Sequence, residues 1–82
     1  MTILDQFKKI TTFVFDVDGV LTDGTIYFFD NGEQVRAMSI KDGFALQLAI
    51  KKGYNILVIS GSNSPAVINR LNKLGINDVF MK

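Results

Sequence analysis

Apolar positions along the chain fall into two rhythms. Residues 11–17 (TTFVFDV) and 54–60 (YNILVIS) are short continuous apolar runs rich in β-branched and aromatic side chains, and 78–81 (DVFM) is a shorter third. Such runs suit strands buried on both faces, as in a parallel sheet, and Phe13-Val14-Phe15 is the clearest case. Residues 43–52 (GFALQLAIKK) instead repeat at helical spacing, as do Val67, Ile68, Leu71 and Leu74. Gly53 and Gly75 stand where a helix closes on a left-handed residue. Ser64-Pro65 supplies a capping hydroxyl and a proline at the first helical position, and Asp42 is expected to cap the earlier helix. Residues 2–9 fit one or two helical turns, with Ile3, Leu4 and Phe7 on one side. Segments 25–29 and 33–39 flank Asn31-Gly32, which predicts a hairpin with both turn positions at positive φ. The order is strand, hairpin, helix, strand, helix, strand, which implies an α/β fold with a Rossmann-like parallel sheet.

Composition narrows the chemistry more than the fold. The 82 residues fit at most one small domain, and a chain of this size buries only roughly 60% of the surface its unfolded form exposes. The formal net charge is +1 with no basic block, so no nucleic-acid partner is expected. No apolar run reaches the roughly 18 residues of a membrane span. The opening MTILDQFKK does not read as a signal peptide, and a cytoplasmic location is the expectation. Cysteine and histidine are both absent, which removes disulfides, thiolate and imidazole metal sites and Ser-His-Asp triads. What remains is carboxylates, lysines, hydroxyls, backbone amides and a hard metal ion.

Asp16 and Asp18 are two apart at the end of the first apolar run, so in extended backbone they project to the same side. Open α/β sheets bind ligands at the carboxyl ends of their strands. Two carboxylates held close repel, and must share a proton or meet a cation. With no nitrogen or sulfur ligand available, Mg²⁺ is the natural partner. Gly19 lets the chain turn sharply after the pair. Asp16 would attack phosphorus and Asp18 would protonate the leaving oxygen and then activate water. The plainer alternative makes Asp16, Asp18 and Asp23 solvated loop aspartates. Their place after an apolar strand and before Gly19 favours function. Ser60 ends the second strand on the same edge, and Ser62 and Ser64 lie at the following helix N-terminus, a favourable place for an anion. Helix capping is the plainer role for Ser64, and is balanced against anion binding for Ser62.

The run DVDGVLTDG resembles motif I of the haloacid dehalogenase superfamily of phosphatases. Its continuation into a hairpin is similar to the subgroup of 3-deoxy-D-manno-octulosonate 8-phosphate phosphatases and relatives acting on nine-carbon keto sugar acid phosphates. The likeness runs through DGTIYFFDNGE, KDG and VISGS to LGINDVF. It implies a Mg²⁺-dependent phosphomonoesterase of lipopolysaccharide biosynthesis that works through an aspartyl-phosphate. By position, Asp16 is the nucleophile and a metal ligand, and Asp18 is the acid/base residue and a metal ligand through its backbone carbonyl. Ser60 matches the motif II hydroxyl on the phosphoryl group, with Gly61 leaving its amide accessible and Ser62 beside it. Relatives often carry a basic residue where Ser62 stands, which leaves the sugar acid open. Lys41 becomes a candidate for a substrate carboxylate, against the plainer reading of a solvated lysine. The hairpin at 25–39, with Tyr27, Phe28 and Phe29, is implied to pack between subunits of a homotetramer, the alternative being packing on its own core.

The superfamily pattern also needs a lysine in motif III and acidic metal ligands in motif IV. Lys73 falls inside a helix, Lys82 follows the third strand closely, and no acidic pair follows it. Residues 1–82 therefore read as the N-terminal part of a single haloacid dehalogenase-like domain, with half of an active site. If the strands lie in chain order, right-handed crossovers put both main helices on one face, and leave the other face and the first strand's edge bare. A first strand in the middle would instead cover both faces. A catalytically incomplete oligomerisation or binding module is the alternative function. A phosphoacceptor receiver domain fits less well, since its acidic pair lies on a different strand. Dinucleotide binding lacks GxGxxG.

Overall fold

The computed structural model describes residues 2–82. Helix α1 (Ile3–Phe7) leads into strand β1 (Thr12–Phe15). A short hairpin, β2 (Tyr27–Phe28) and β3 (Gln34–Val35), precedes helix α2 (Ile40–Lys51). Strand β4 (Asn55–Ser60), helix α3 (Pro65–Lys73) and strand β5 (Asp78–Met81) complete the chain. The main sheet has the order β1-β4-β5 and is parallel throughout. Thr12 pairs with Asn55 and Phe15 with Val58, while Leu57 pairs with Asp78 and Ser60 with Met81. Chain order therefore holds, and β1 lies at an edge rather than in the middle.

One face of this sheet carries the core. Ile56 and Val58 of β4 meet Leu46 of α2, Val67 and Leu71 of α3, and Val17, Leu21, Leu74 and Ile76 from the connections. Along β4, buried residues alternate with more exposed ones, so Ile56, Val58 and Ser60 face inward. The opposite face is open, with Ile59 52% and Phe80 58% exposed. This corrects the expectation that the apolar runs are buried on both faces. Phe13 and Val14 are exposed and Phe15 is half-buried, because β1 has a neighbour on one edge and helices on one side only. Helix α1 buries none of its residues. The Cα radius of gyration is 14.5 Å against about 12 Å for a compact chain of this length, and the longest extent is 55 Å. Among the described residues no helix is long and apolar enough to cross a membrane.

Two local expectations also change. Ser39, not Asp42, caps α2: its hydroxyl accepts the Asp42 N–H at 3.3 Å, which leaves Asp42 in the first turn, where a negative charge suits the helix dipole. The hairpin ladder is only two residues long on each side, and its loop has three residues rather than two. Phe29 accepts from the Gly32 N–H at 2.9 Å and donates to the Glu33 carbonyl at 2.9 Å, and the Asn31 side chain accepts the Glu33 N–H at 3.0 Å. Gly32 alone takes the left-handed conformation there (φ 89°), as a three-residue loop requires.

Leu71 is fully buried (0% exposed) and Ile59 lies on the open face. Leu71→Ala is expected to lower the unfolding free energy by about 2–5 kcal/mol, whereas Ile59→Ala should cost less than about 1 kcal/mol. Urea unfolding of the two variants measures both. A cost at Ile59 matching that at Leu71 would show that the open face is covered in solution.

Candidate active site

Parallel pairing brings the carboxyl ends of β1, β4 and β5 to one edge. Asp16 follows β1 directly, in extended backbone (φ −82°, ψ 164°), and its Oδ1 accepts the Val17 N–H at 2.7 Å. Val17 turns into the core, while Asp16 is exposed and Asp18 half-buried. Burial thus alternates past the end of the strand, with Asp16 and Asp18 on either side of buried Val17. Residues 17–21 then make a single wide turn closed by the Thr22 N–H to the Val17 carbonyl at 3.1 Å. It is interrupted at Asp18 and at Gly19, whose φ of 83° excludes other side chains without strain. Thr22, buried, braces this loop: its hydroxyl accepts from the N–H groups of Gly19 (3.3 Å) and Gly24 (3.1 Å). Asp23 only closes a turn, accepting the Thr25 N–H at 2.9 Å.

The charge of Asp18 is met by a partner that the sequence reading did not single out. Arg36, just past β3, donates from Nε to Asp18 Oδ1 at 2.7 Å and from Nη2 to Oδ2 at 3.3 Å. Ser62 donates its hydroxyl to the same Oδ2 at 3.0 Å and accepts from Arg36 Nη2 at 3.1 Å. Bidentate guanidinium–carboxylate geometry is strong and directional. The Arg36 hydrogen bond holds the Asp18 carboxyl below its ordinary value of 3.8, against the upward push of burial, with the Ser62 hydrogen bond and the guanidinium charge adding to the lowering. The one sequence signal for Arg36 is a lone charge in the stretch VRAM leaving the hairpin.

Ser60 is buried at the end of β4, and its Oγ accepts the Ser62 N–H at 3.2 Å. The Ser62 hydroxyl goes to Asp18 rather than to the helix, whereas Ser64 caps α3 by accepting the Val67 N–H at 3.4 Å. Asp18, Ser60 and Ser62 are thus joined in one network, with Gly61 exposed between the two serines. Lys41 stands apart: it is exposed in the first turn of α2, inside the helix rather than ahead of its cap. Lys73 is exposed on α3. Lys82 lies just beyond β5, where its N–H donates to the Ser60 carbonyl at 3.3 Å.

The donor set suits a hard divalent cation. Asp16 presents an exposed carboxylate, while the Asp18 side chain is already engaged by Arg36 and Ser62. Mg²⁺ commonly takes one or two carboxylates and keeps several waters. Among the described residues no group of three or more acidic, histidine or cysteine side chains is placed to hold a metal.

No protein-family profile matches the chain. It is 35% identical over 78 residues to the 3-deoxy-D-manno-octulosonate 8-phosphate phosphatase of Haemophilus influenzae, covering 95% of this chain and 42% of that one. The same enzyme of Escherichia coli K12 is 32% identical over the same shares. Among solved structures, the Moraxella catarrhalis 3-deoxy-D-manno-octulosonate 8-phosphate phosphatase in complex with magnesium, phosphate and KDO superposes with a TM-score of 0.90. It is 34% identical and covers 96% of this chain and 45% of that one. In fold and in sequence this chain is similar to haloacid dehalogenase-like phosphatases. Within that class it is similar to the 3-deoxy-D-manno-octulosonate 8-phosphate phosphatases, and it spans less than half the length of the curated relatives it matches.

A carboxylate with a lowered folded-state pKa contributes stability above its unfolded value and loses it as pH falls through the folded value. The stability difference between the parent chain and Arg36→Met is therefore expected to shrink as pH falls from about 5 to about 2. Urea midpoints across this range test it, and a difference that holds constant to pH 2 would mean the pair does not form in solution.

Proposed function

We propose that the chain carries the nucleophile side of a Mg²⁺-dependent phosphomonoesterase for a phosphorylated keto sugar acid of the 3-deoxy-D-manno-octulosonate 8-phosphate type, in the cytoplasmic supply of lipopolysaccharide precursors. The observation that carries this reading is the placing of Asp16, Asp18 and Ser60 at one edge of a parallel sheet, in a chain 34% identical to a phosphatase solved with magnesium, phosphate and KDO. Residues 1–82 are taken as the N-terminal part of a single domain.

In this reading the Asp16 carboxylate attacks phosphorus as the bond to the leaving oxygen breaks. Asp18, once released from the Arg36 fork and protonated, gives its proton to that oxygen, and the sugar acid leaves as an alcohol. Asp18, now a carboxylate, takes a proton from water as the water oxygen attacks the aspartyl-phosphate. Inorganic phosphate and free Asp16 result. The Ser60 hydroxyl and the amides of Gly61 and Ser62 hold phosphoryl oxygens at the end of β4. Mg²⁺, held by the Asp16 carboxylate and the Asp18 carbonyl, would offset charge on the transferring group. Lys41 is assigned to the substrate carboxylate. The reading as a binding or assembly module draws on the two-donor metal set among the described residues.

Tyr27, Phe28 and Phe29 are all exposed on the hairpin, which opposes packing on the chain's own core. We assign them to contacts between subunits of a homotetramer.

In the intact protein, Asp16→Asn is expected to abolish hydrolysis of the sugar acid phosphate with an unchanged urea midpoint, and EDTA should remove the activity until Mg²⁺ is restored. Phosphate release measures both. Full turnover by Asp16→Asn would sink the assignment of the nucleophile. Phe28→Ser is expected to lower the assembled mass in sedimentation, and an unchanged mass would remove the hairpin from the subunit interface.

A further inference from the structure

Strand β4 passes to helix α3 through Gly61, Ser62 and Asn63, with Ser64 as the helix cap. Gly61 is exposed, and beyond its chain neighbours nothing lies within 4 Å of where a Cβ would stand, so packing does not hold it. The loop is tied at its ends instead. At the near end Ser60, buried, accepts the Ser62 N–H through Oγ at 3.2 Å. At the far end Ser64, also buried, is extended (φ −134°, ψ 105°) and accepts the Val67 N–H at 3.4 Å. A capping hydroxyl leaves its own backbone N–H to be met elsewhere, and a buried N–H without an acceptor is costly. The Ser64 N–H donates to the thioether of Met81, 17 residues on, with N to Sδ at 3.3 Å. Met81 ends β5 and is half-buried against the core. Leucine would fill that space about as well, but it has no sulfur lone pair to offer.

We propose that Met81 is a positioning residue of this loop: its sulfur seats the Ser64 end and thereby fixes the Gly61 and Ser62 amides. The inference rests on the phosphatase reading above, which assigns those amides to phosphoryl oxygens. Met81 acts through the backbone of Ser64 and does not touch the phosphoryl group. Amide donors hold an anion best when their backbone is already in place before it arrives. Ser60 and Met81 are paired across the β4–β5 ladder, so both ties of the loop spring from one rung of the sheet. Strand β5 therefore sets the shape of a loop that it does not carry. If β5 left β4, the near tie within the loop would survive and the far one would not.

Amide exchange on this chain tests the seat. Met81→Leu conserves volume, so the fold should persist. Exchange at the Ser64 N–H is expected to quicken by about 5- to 10-fold, with the Val58 and Leu71 amides of the core unchanged. Met81→Gln, whose carboxamide oxygen accepts at similar reach, should restore the protection. Unchanged exchange at Ser64 in Met81→Leu, or equal loss at Val58 and Leu71, would overturn the role of Met81 alone. In the intact protein, inorganic phosphate titrated with Mg²⁺ should shift the Gly61 and Ser62 amides. Met81→Leu should weaken that binding by about 3-fold or more, because only the seated fraction of the loop binds, and Met81→Gln should recover it. Equal phosphate affinity in parent and Met81→Leu would separate the seat from anion binding and overturn the proposal. Failure of phosphate to shift either amide in the parent would instead overturn the phosphatase reading.

Discussion

Two parallel hydrogen-bond ladders, β1 on β4 and β4 on β5, bring three carboxyl ends to one edge of the sheet. Asp16, Ser60 and the approach of Lys82 to the Ser60 carbonyl follow from that geometry, since each lies within one residue of a strand end. The ladders in turn rely on the packing of α2 and α3 against Ile56 and Val58, which sets the face that β4 turns inward. A one-residue slip of β4 would send Ile56, Val58 and Ser60 to the open face together.

Much of this was legible in the sequence because it rests on local rules. The apolar runs, the Ser64-Pro65 start of α3, and Gly53 and Gly75 at the helix ends announced the main elements, and the structure places the main-sheet strands and the start of α3 within a residue or two. Given chain order, crossover handedness put both main helices on one face, but the order itself had been left open, with the first strand in the middle as the alternative. Burial did not follow. Phe13, Val14 and Phe15 read as an interior strand, but the number of neighbours a strand has is not written in the strand itself. The N-cap of α2 was assigned three residues late because Asp42 and Ser39 both carry capping oxygens, and only backbone geometry separates them.

The candidate site was legible to a different depth. Asp16, Asp18 and Ser60 could be read because each follows an apolar run by one or two residues. Arg36 and Thr22 could not, since their partners lie across space or in the backbone of a turn. Arg36 is a long side chain reaching from the hairpin to a loop 18 residues earlier, and no periodicity reports such a contact. Ser62 had been weighed between helix cap and anion contact, and its hydroxyl instead joins the carboxylate.

Strand β1 carries Asp16 into place across a gap of 43 residues to its partner on β4, about twice the separation between β4 and β5. Each doubling of a closed loop costs about 0.6 kcal/mol in chain entropy. Strand β1, like β5, has a neighbour on one side only, and of the two it has less buried side-chain area with which to offset that cost. The carboxylate at the centre of the site therefore rides on the strand whose docking is least favoured. Its position is a sensitive gauge of whether the whole sheet has closed.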